Sequence, residues 1–205
     1  MSHHFQAHDL LWGMNPHMLP DDVPDWAVQV LFENKPVVVR RAITNMHTVA
    51  VGIRGKQRNQ RFAAEMPTHA IEKKVSPESL IDKDLASFPH LQRQLQRIYK
   101  TMQSFALPWG YTGSVGYELA TGFKTVSENS DVDLLIRTEQ FISQAEAKIM
   151  LTALEDLDIN IDVQLQTPLG GVALREWARA TGCILLKRND HAVLVQNPWD
   201  SKEII

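Results

Sequence analysis

Apolar and polar positions recur along the chain with two different periods. From Leu91 to Met102, Leu91, Leu95, Ile98 and Met102 fall four, three and four residues apart with amide and charged side chains between them. That spacing predicts an amphipathic helix. Ile159–Gln166 alternates instead, with Ile159, Ile161, Val163 and Leu165 on one face and Asn160, Asp162, Gln164 and Gln166 on the other. A period of two predicts a strand with one polar face. The β-branched runs Val37–Ala42 and Thr48–Arg54 predict strands, and the Gly55 turn leads into another at Asn59–Ala64. Acidic Asp21, Asp22 and Asp25 around Pro24 start a short helix that Pro36 must end. Glu139–Leu157 reads as a long helix with Phe141, Ala145, Ile149 and Met150 on its inward stripe. Beyond it, Gly170-Gly171 reads as a turn, Val172–Ala180 as a helix, and Cys183–Leu186 with Ala192–Val195 as a hairpin through Asn189-Asp190. These elements predict an α+β fold: a small β-rich N-terminal domain over 1–80, a hinge around Pro89, and a domain over 81–205 with a mixed sheet flanked by helices.

The chemistry concentrates in Trp109–Arg137. A short strand, Trp109–Thr112, breaks at Gly113-Ser114 into a helical stretch, Val115–Thr121, which Gly122 closes. A helix start after glycine offers free backbone N–H groups and, here, a hydroxyl at the positive end of the helix dipole, which makes a phosphate cradle. Asp131 and Asp133 then run into Leu134-Leu135-Ile136. On a strand, residues two apart share a face, so both carboxylates point one way while the apolar run anchors them. Two hard oxygen donors side by side suit Mg²⁺, or Mn²⁺, completed by substrate phosphates.

Composition narrows the setting. A chain of 205 residues with 44% apolar and 22% charged residues has length enough for a substantial core. The net charge of −3 gives no ground for nucleic-acid binding. A single cysteine, Cys183, excludes an intrachain disulfide and a cysteine-built zinc site, fits a reducing compartment, and reads as a small buried residue. His3, His4 and His8 match no common metal-ligand spacing. No apolar run approaches the ~18 residues of a membrane span, and no signal-peptide core opens the chain, so a cytoplasmic location without membrane contact is expected. Charge is one-sided between Lys35 and Arg61: Arg40, Arg41, Arg54, Lys56 and Arg58 occur there without an acidic residue. Such a stretch is either a solvated face or an anion-binding surface for phosphates or an acidic protein.

Gly-Ser after a strand, a short helix, and Asp-x-Asp on the next strand resemble the polymerase-β-like nucleotidyltransferase superfamily, with Phe123–Asn129 as an insertion. The resemblance implies that the second half is a minimal nucleotidyltransferase domain and that Asp162 is a third site carboxylate. HDLLW, PVVVRRA, VAVGIRG and RNQRFAA in the first half, with GSVGYELATG, SDVDLL and IDVQLQTP in the second, narrow it. The chain is similar over nearly its whole length to the phosphoribosyl-dephospho-CoA transferases of malonate decarboxylase, its holo-acyl-carrier-protein synthases. The similarity implies transfer from 2′-(5″-triphosphoribosyl)-3′-dephospho-CoA to a serine of the apo acyl carrier protein, with release of diphosphate. It implies that Gly113 and Ser114 hold the leaving diphosphate and that Asp131 and Asp133 carry Mg²⁺. Asp162 would serve on the attacking side, as second-metal ligand or base. Arg54, Arg58 and Arg61 are the candidate phosphate ligands of the first half. Two other readings remain open at this point: a nucleotidyltransferase acting on an antibiotic or protein, and a non-catalytic module that binds a nucleotide.

Overall fold

The computed structural model describes residues 5–57, 59–127 and 130–201. His3, His4, Arg58 and the Glu128–Asn129 part of the expected insertion lie outside them. The chain divides into two compact units, Met1–Ser76 and Pro77–Ile205.

The first unit contains β1 (Leu10–Trp12), α1 (Asp25–Phe32), β2 (Val37–Val39), β3 (Thr48–Arg54), β4 (Arg61–Pro67) and β5 (Lys73–Val75). Its sheet runs β4-β3-β2-β1-β5 and is antiparallel throughout. Val49, Val51 and Ile53 of β3 and Val37 and Val39 of β2 pack against Ala27, Val30 and Leu31 of α1. Alternation puts Ala50, Gly52 and Arg54 on the opposite face. α1 starts after Pro24 and ends at Phe32, with Glu33 as its C-cap ahead of Asn34 in the left-handed region (φ 52°).

The second unit contains α2 (Gln92–Gln103), β6 (Trp109–Tyr111), α3 (Gly113–Thr121), β7 (Val132–Arg137), α4 (Gln144–Glu155), β8 (Ile161–Thr167), β9 (Gly170–Ala173), α5 (Leu174–Arg179), β10 (Ile184–Lys187) and β11 (Ala192–Val195). The sheet order is β11-β10-β9-β8-β7-β6, and only the β7–β8 pairing is parallel among the described strands. α4 makes the crossover that a parallel pair needs. The result is an α+β fold whose N-terminal unit is rich in strand. Among the described residues no helix is long and apolar enough to cross a membrane.

Leu91, Leu95, Ile98 and Met102 all enter the core of the second unit, as their spacing predicts. Phe88 is fully buried in the same core, so the expected hinge at Pro89 lies inside this unit. Three other expectations are corrected. α4 buries Ala147, Met150, Leu151 and Leu154, while Phe141 and Ile149 are exposed. Its start is set by a capping box, in which Ser143 accepts from the Glu146 N–H and the Glu146 carboxylate accepts from the Ser143 N–H. Gly170-Gly171 is not a turn but the start of β9, and a Cβ on Gly170 would stand 2.5 Å from the Lys187 carbonyl oxygen. Cys183 is exposed, not buried.

The turn Pro77–Leu80 lies over Gly110 at the middle of β6, where a Cβ would meet the Pro77 carbonyl carbon at 2.1 Å. Glu78 on this turn pairs with Arg137 at the end of β7. Gly110→Ala should therefore push the turn off the sheet and destabilise the unit by about 1–3 kcal/mol, the usual range for overpacking. Urea denaturation checks this, and an unchanged midpoint would show that the turn moves freely.

Candidate active site

The site is built at the junction of β6, α3 and the first residues of β7. Thr112 leaves β6 and donates its N–H to the Asp133 carbonyl at 2.9 Å, holding the junction beside β7. Gly113 then takes φ +57°, and a Cβ placed on it would lie 1.8 Å from Asp133 Oδ2. Glycine is thus required twice at this point, by the left-handed backbone and by the carboxylate packed against it. Gly116, one turn on, lies against the Tyr111 carbonyl, where a Cβ would stand at 2.4 Å. The helix can approach the strand end only because both positions lack a side chain. Burial pushes the Tyr111 phenol well above its ordinary range, and the nearby Tyr99 adds to that shift. Tyr111 therefore stays neutral and donates to the Leu95 carbonyl at 3.3 Å.

The N–H groups of the first turn of α3 have no carbonyl four residues back to accept them, and Thr112 makes no side-chain cap. Together with the half-buried Ser114, they face the positive end of a nine-residue helix.

A residue missed by the sequence reading fixes the loop after α3. Glu118 is buried at 6% exposure and accepts the N–H groups of Thr125 at 2.7 Å and Val126 at 2.9 Å. The Thr125 hydroxyl in turn donates to the Ser114 carbonyl at 3.0 Å. The signal was present in the position of Glu118, three residues after the buried Val115 on the helix face that meets the core.

The three acidic residues lie at the start of the parallel pair. Asp133 of β7 and Asp162 of β8 are direct register partners, so their side chains leave the same face of neighbouring strands. Adjacent strands lie about 4.8 Å apart, so two anions here repel unless a cation lies between them. Asp131 precedes β7, with the buried Val132 between it and Asp133, and is exposed. Among the described residues no three His, Cys, Asp or Glu side chains form a ready metal cage. The donor set nonetheless fits Mg²⁺: it takes one or two carboxylates and completes its shell with water and phosphate oxygens.

The candidate phosphate ligands of the first unit are organised differently. Arg54 and Arg61 are direct cross-strand partners at the end of the β3–β4 hairpin. The Arg40 stem crosses Gly52 on the same face, 3.1 Å from where a Cβ would sit. Glu65 also belongs to β4 but is turned to the Thr48 hydroxyl at 2.7 Å. Lys35, at the start of the basic stretch, is paired with Glu33.

This arrangement is consistent with a transferase of the nucleotidyltransferase type. The profile of the phosphoribosyl-dephospho-CoA transferase MdcG N-terminal domain matches residues 6–77, and that of the C-terminal domain matches residues 79–198. A phosphoribosyl-dephospho-CoA transferase of Pseudomonas fluorescens (strain Pf0-1) is 45% identical over 197 residues, 96% of each chain. One of Pseudomonas putida (strain W619) is 46% identical over 198 residues, 97% of each chain. One of Pseudomonas aeruginosa is 40% identical over 201 residues, covering 97% of this chain and 96% of the relative. No solved structure matches. The chain belongs to the phosphoribosyl-dephospho-CoA transferase family.

Gly113→Ala places a methyl group on the Asp133 carboxylate and strains the backbone. It should leave a folded protein with at least ~10²-fold lower turnover, the scale on which small misplacements act. Steady-state kinetics with circular dichroism of the variant checks this. Normal turnover would mean that the contact between Gly113 and Asp133 does not matter to the chemistry.

Proposed function

We propose that the protein transfers the phosphoribosyl-dephospho-CoA group of 2′-(5″-triphosphoribosyl)-3′-dephospho-CoA to a serine of the apo acyl carrier protein of malonate decarboxylase, releasing diphosphate. The observation that carries this reading is the in-register pair Asp133–Asp162 beside a glycine that admits the Asp133 carboxylate to the start of a helix. The names of the relatives support the transferred group, and the carboxylates support phosphoryl chemistry.

In the reaction the serine oxygen forms a bond to the α-phosphorus, and the bond from that phosphorus to the α–β bridging oxygen breaks. The electron pair leaves with diphosphate, and the serine proton passes to a base or to solvent. The N–H groups at the start of α3 and the Ser114 hydroxyl would donate to the diphosphate oxygens. Asp131 and Asp133 would hold Mg²⁺ (or Mn²⁺), which supplies charge neutralisation for the triphosphate. Asp162 stands on the attacking side, as a further ligand or as the acceptor of the serine proton. In the first unit Arg54 and Arg61 are the described candidates for binding phosphate, each through a forked donor; Arg58, the third candidate, lies outside the described residues. The reaction is expected in the cytoplasm.

Asp133→Asn should abolish diphosphate release while leaving the protein folded, since the amide keeps the shape of the carboxylate. Asp162→Asn should cost roughly 10²–10⁴-fold in rate, with precursor affinity little changed, if it takes the proton. A coupled diphosphate assay with and without Mg²⁺ checks both, and near-normal release by Asp133→Asn would sink the carboxylate site. Arg54→Gln with Arg61→Gln should weaken precursor binding about tenfold, on the scale of one or two charge-assisted bonds. Calorimetric titration of the precursor reads this directly, and unchanged affinity would remove these arginines from the phosphate site.

A further inference from the structure

The second unit holds a cavity of about 380 Å³ beside Asp162, on the side of β8 away from β7. Its walls are the end of α4 (Leu154, Glu155), the segment leading into β8, and the start of α5 (Arg175). These walls are tied down. Arg97 of α2 donates to the Leu157 carbonyl at 3.0 Å and the Asp156 carbonyl at 3.3 Å. Arg179 pairs with Glu155 at 2.8 Å, and Arg175 stands 3.7 Å from the same carboxylate.

The cavity exists because β9 is shorter than β8. The β8–β9 ladder covers Gln164–Thr167 and stops at Ala173, where the chain turns into α5. Ile161 therefore extends past the last strand neighbour on that side. On the other side, Val132 pairs with Ile161 in a parallel ladder and donates its N–H to the Asn160 carbonyl at 2.9 Å. In such a ladder the backbone groups of Asn160 and Asp162 point at β7, and those of Ile161 point away from it, into the cavity. A polar strand edge at the wall of a cavity is what an added polypeptide segment uses for main-chain pairing.

The order across the sheet says which substrate would come here. Ser114 follows β6, Asp133 is on β7, Asp162 is on β8, and the cavity lies beyond Asp162. In-line displacement places the leaving group and the nucleophile on opposite sides of the phosphorus. With diphosphate leaving toward α3, the nucleophile arrives from the β8 side. Resting on the function proposed above, we infer that this cavity receives the segment of the protein acceptor that carries the serine. That segment pairs through its main chain with β8 at Ile161 and delivers the hydroxyl to Asp162.

The test narrows the cavity from two walls separately. Ile159→Trp changes the segment before β8, and Arg175→Trp changes α5, where Glu155 keeps Arg179 as a partner. Each variant is assayed for precursor affinity, for diphosphate release to water without acceptor, and for transfer across a range of apo carrier protein concentrations. The expected result is an acceptor KM raised about tenfold or more, with precursor affinity and release to water at wild-type values, which also shows that the variants fold. Unchanged acceptor KM in both variants overturns the proposal. Weakened precursor binding also overturns it, by giving the cavity to the donor. Wild-type protein that releases diphosphate to water but loads no carrier protein refutes the function reading itself, and the acceptor with it.

Discussion

Two carboxylates held on neighbouring parallel strands repel, and the second unit is built so that they cannot move apart. Val132, Leu134 and Ile136 of β7 are buried, as are Val163 and Leu165 of β8, so neither strand can slide without exposing its core face. A one-residue slip would exchange the two faces of a strand altogether. The register that packs the core is therefore the register that opposes Asp133 to Asp162. Gly113 completes the arrangement from the third side, because any side chain there would occupy the space of the Asp133 carboxylate. The electrostatic cost of the pair is borne by apolar packing, and a bound cation would offset it.

The order of elements that carries the site was legible because its residues are local. Strand, Gly-Ser, helix and Asp-x-Asp lie within thirty residues of chain and need only the two side-chain periods to be placed. The stripe of α2 was legible for the same reason: its apolar positions are separated by polar ones, so only one face can be buried. α4 misled because two of its region's large apolar residues do not serve the core. Phe141 stacks edge-on against Trp177 and Trp199, and Ile149 is open to solvent. The capping box at Ser143 was the better signal for where that helix starts.

Long-range relations were not legible. Gly170-Gly171 resembles a turn, and only the close approach of β10 shows why glycine is needed inside a strand. β1 and β5 are three residues each, too short to show a period. The role of Glu118 depends on a loop seven and eight residues away returning to the helix. In the first unit the basic stretch was visible as composition. The direct opposition of Arg54 and Arg61, and the passage of Arg40 over Gly52, required the register of the hairpin.

The claim on which the account rests is that the group transferred ends on a protein hydroxyl. Intact-mass analysis of the apo acyl carrier protein tests this most directly, after incubation with the protein, 2′-(5″-triphosphoribosyl)-3′-dephospho-CoA and Mg²⁺. The account predicts a mass increase equal to one phosphoribosyl-dephospho-CoA group, absent when the acceptor serine is replaced by alanine. A carrier protein of unchanged mass, or one that gains the group equally without its serine, would contradict it.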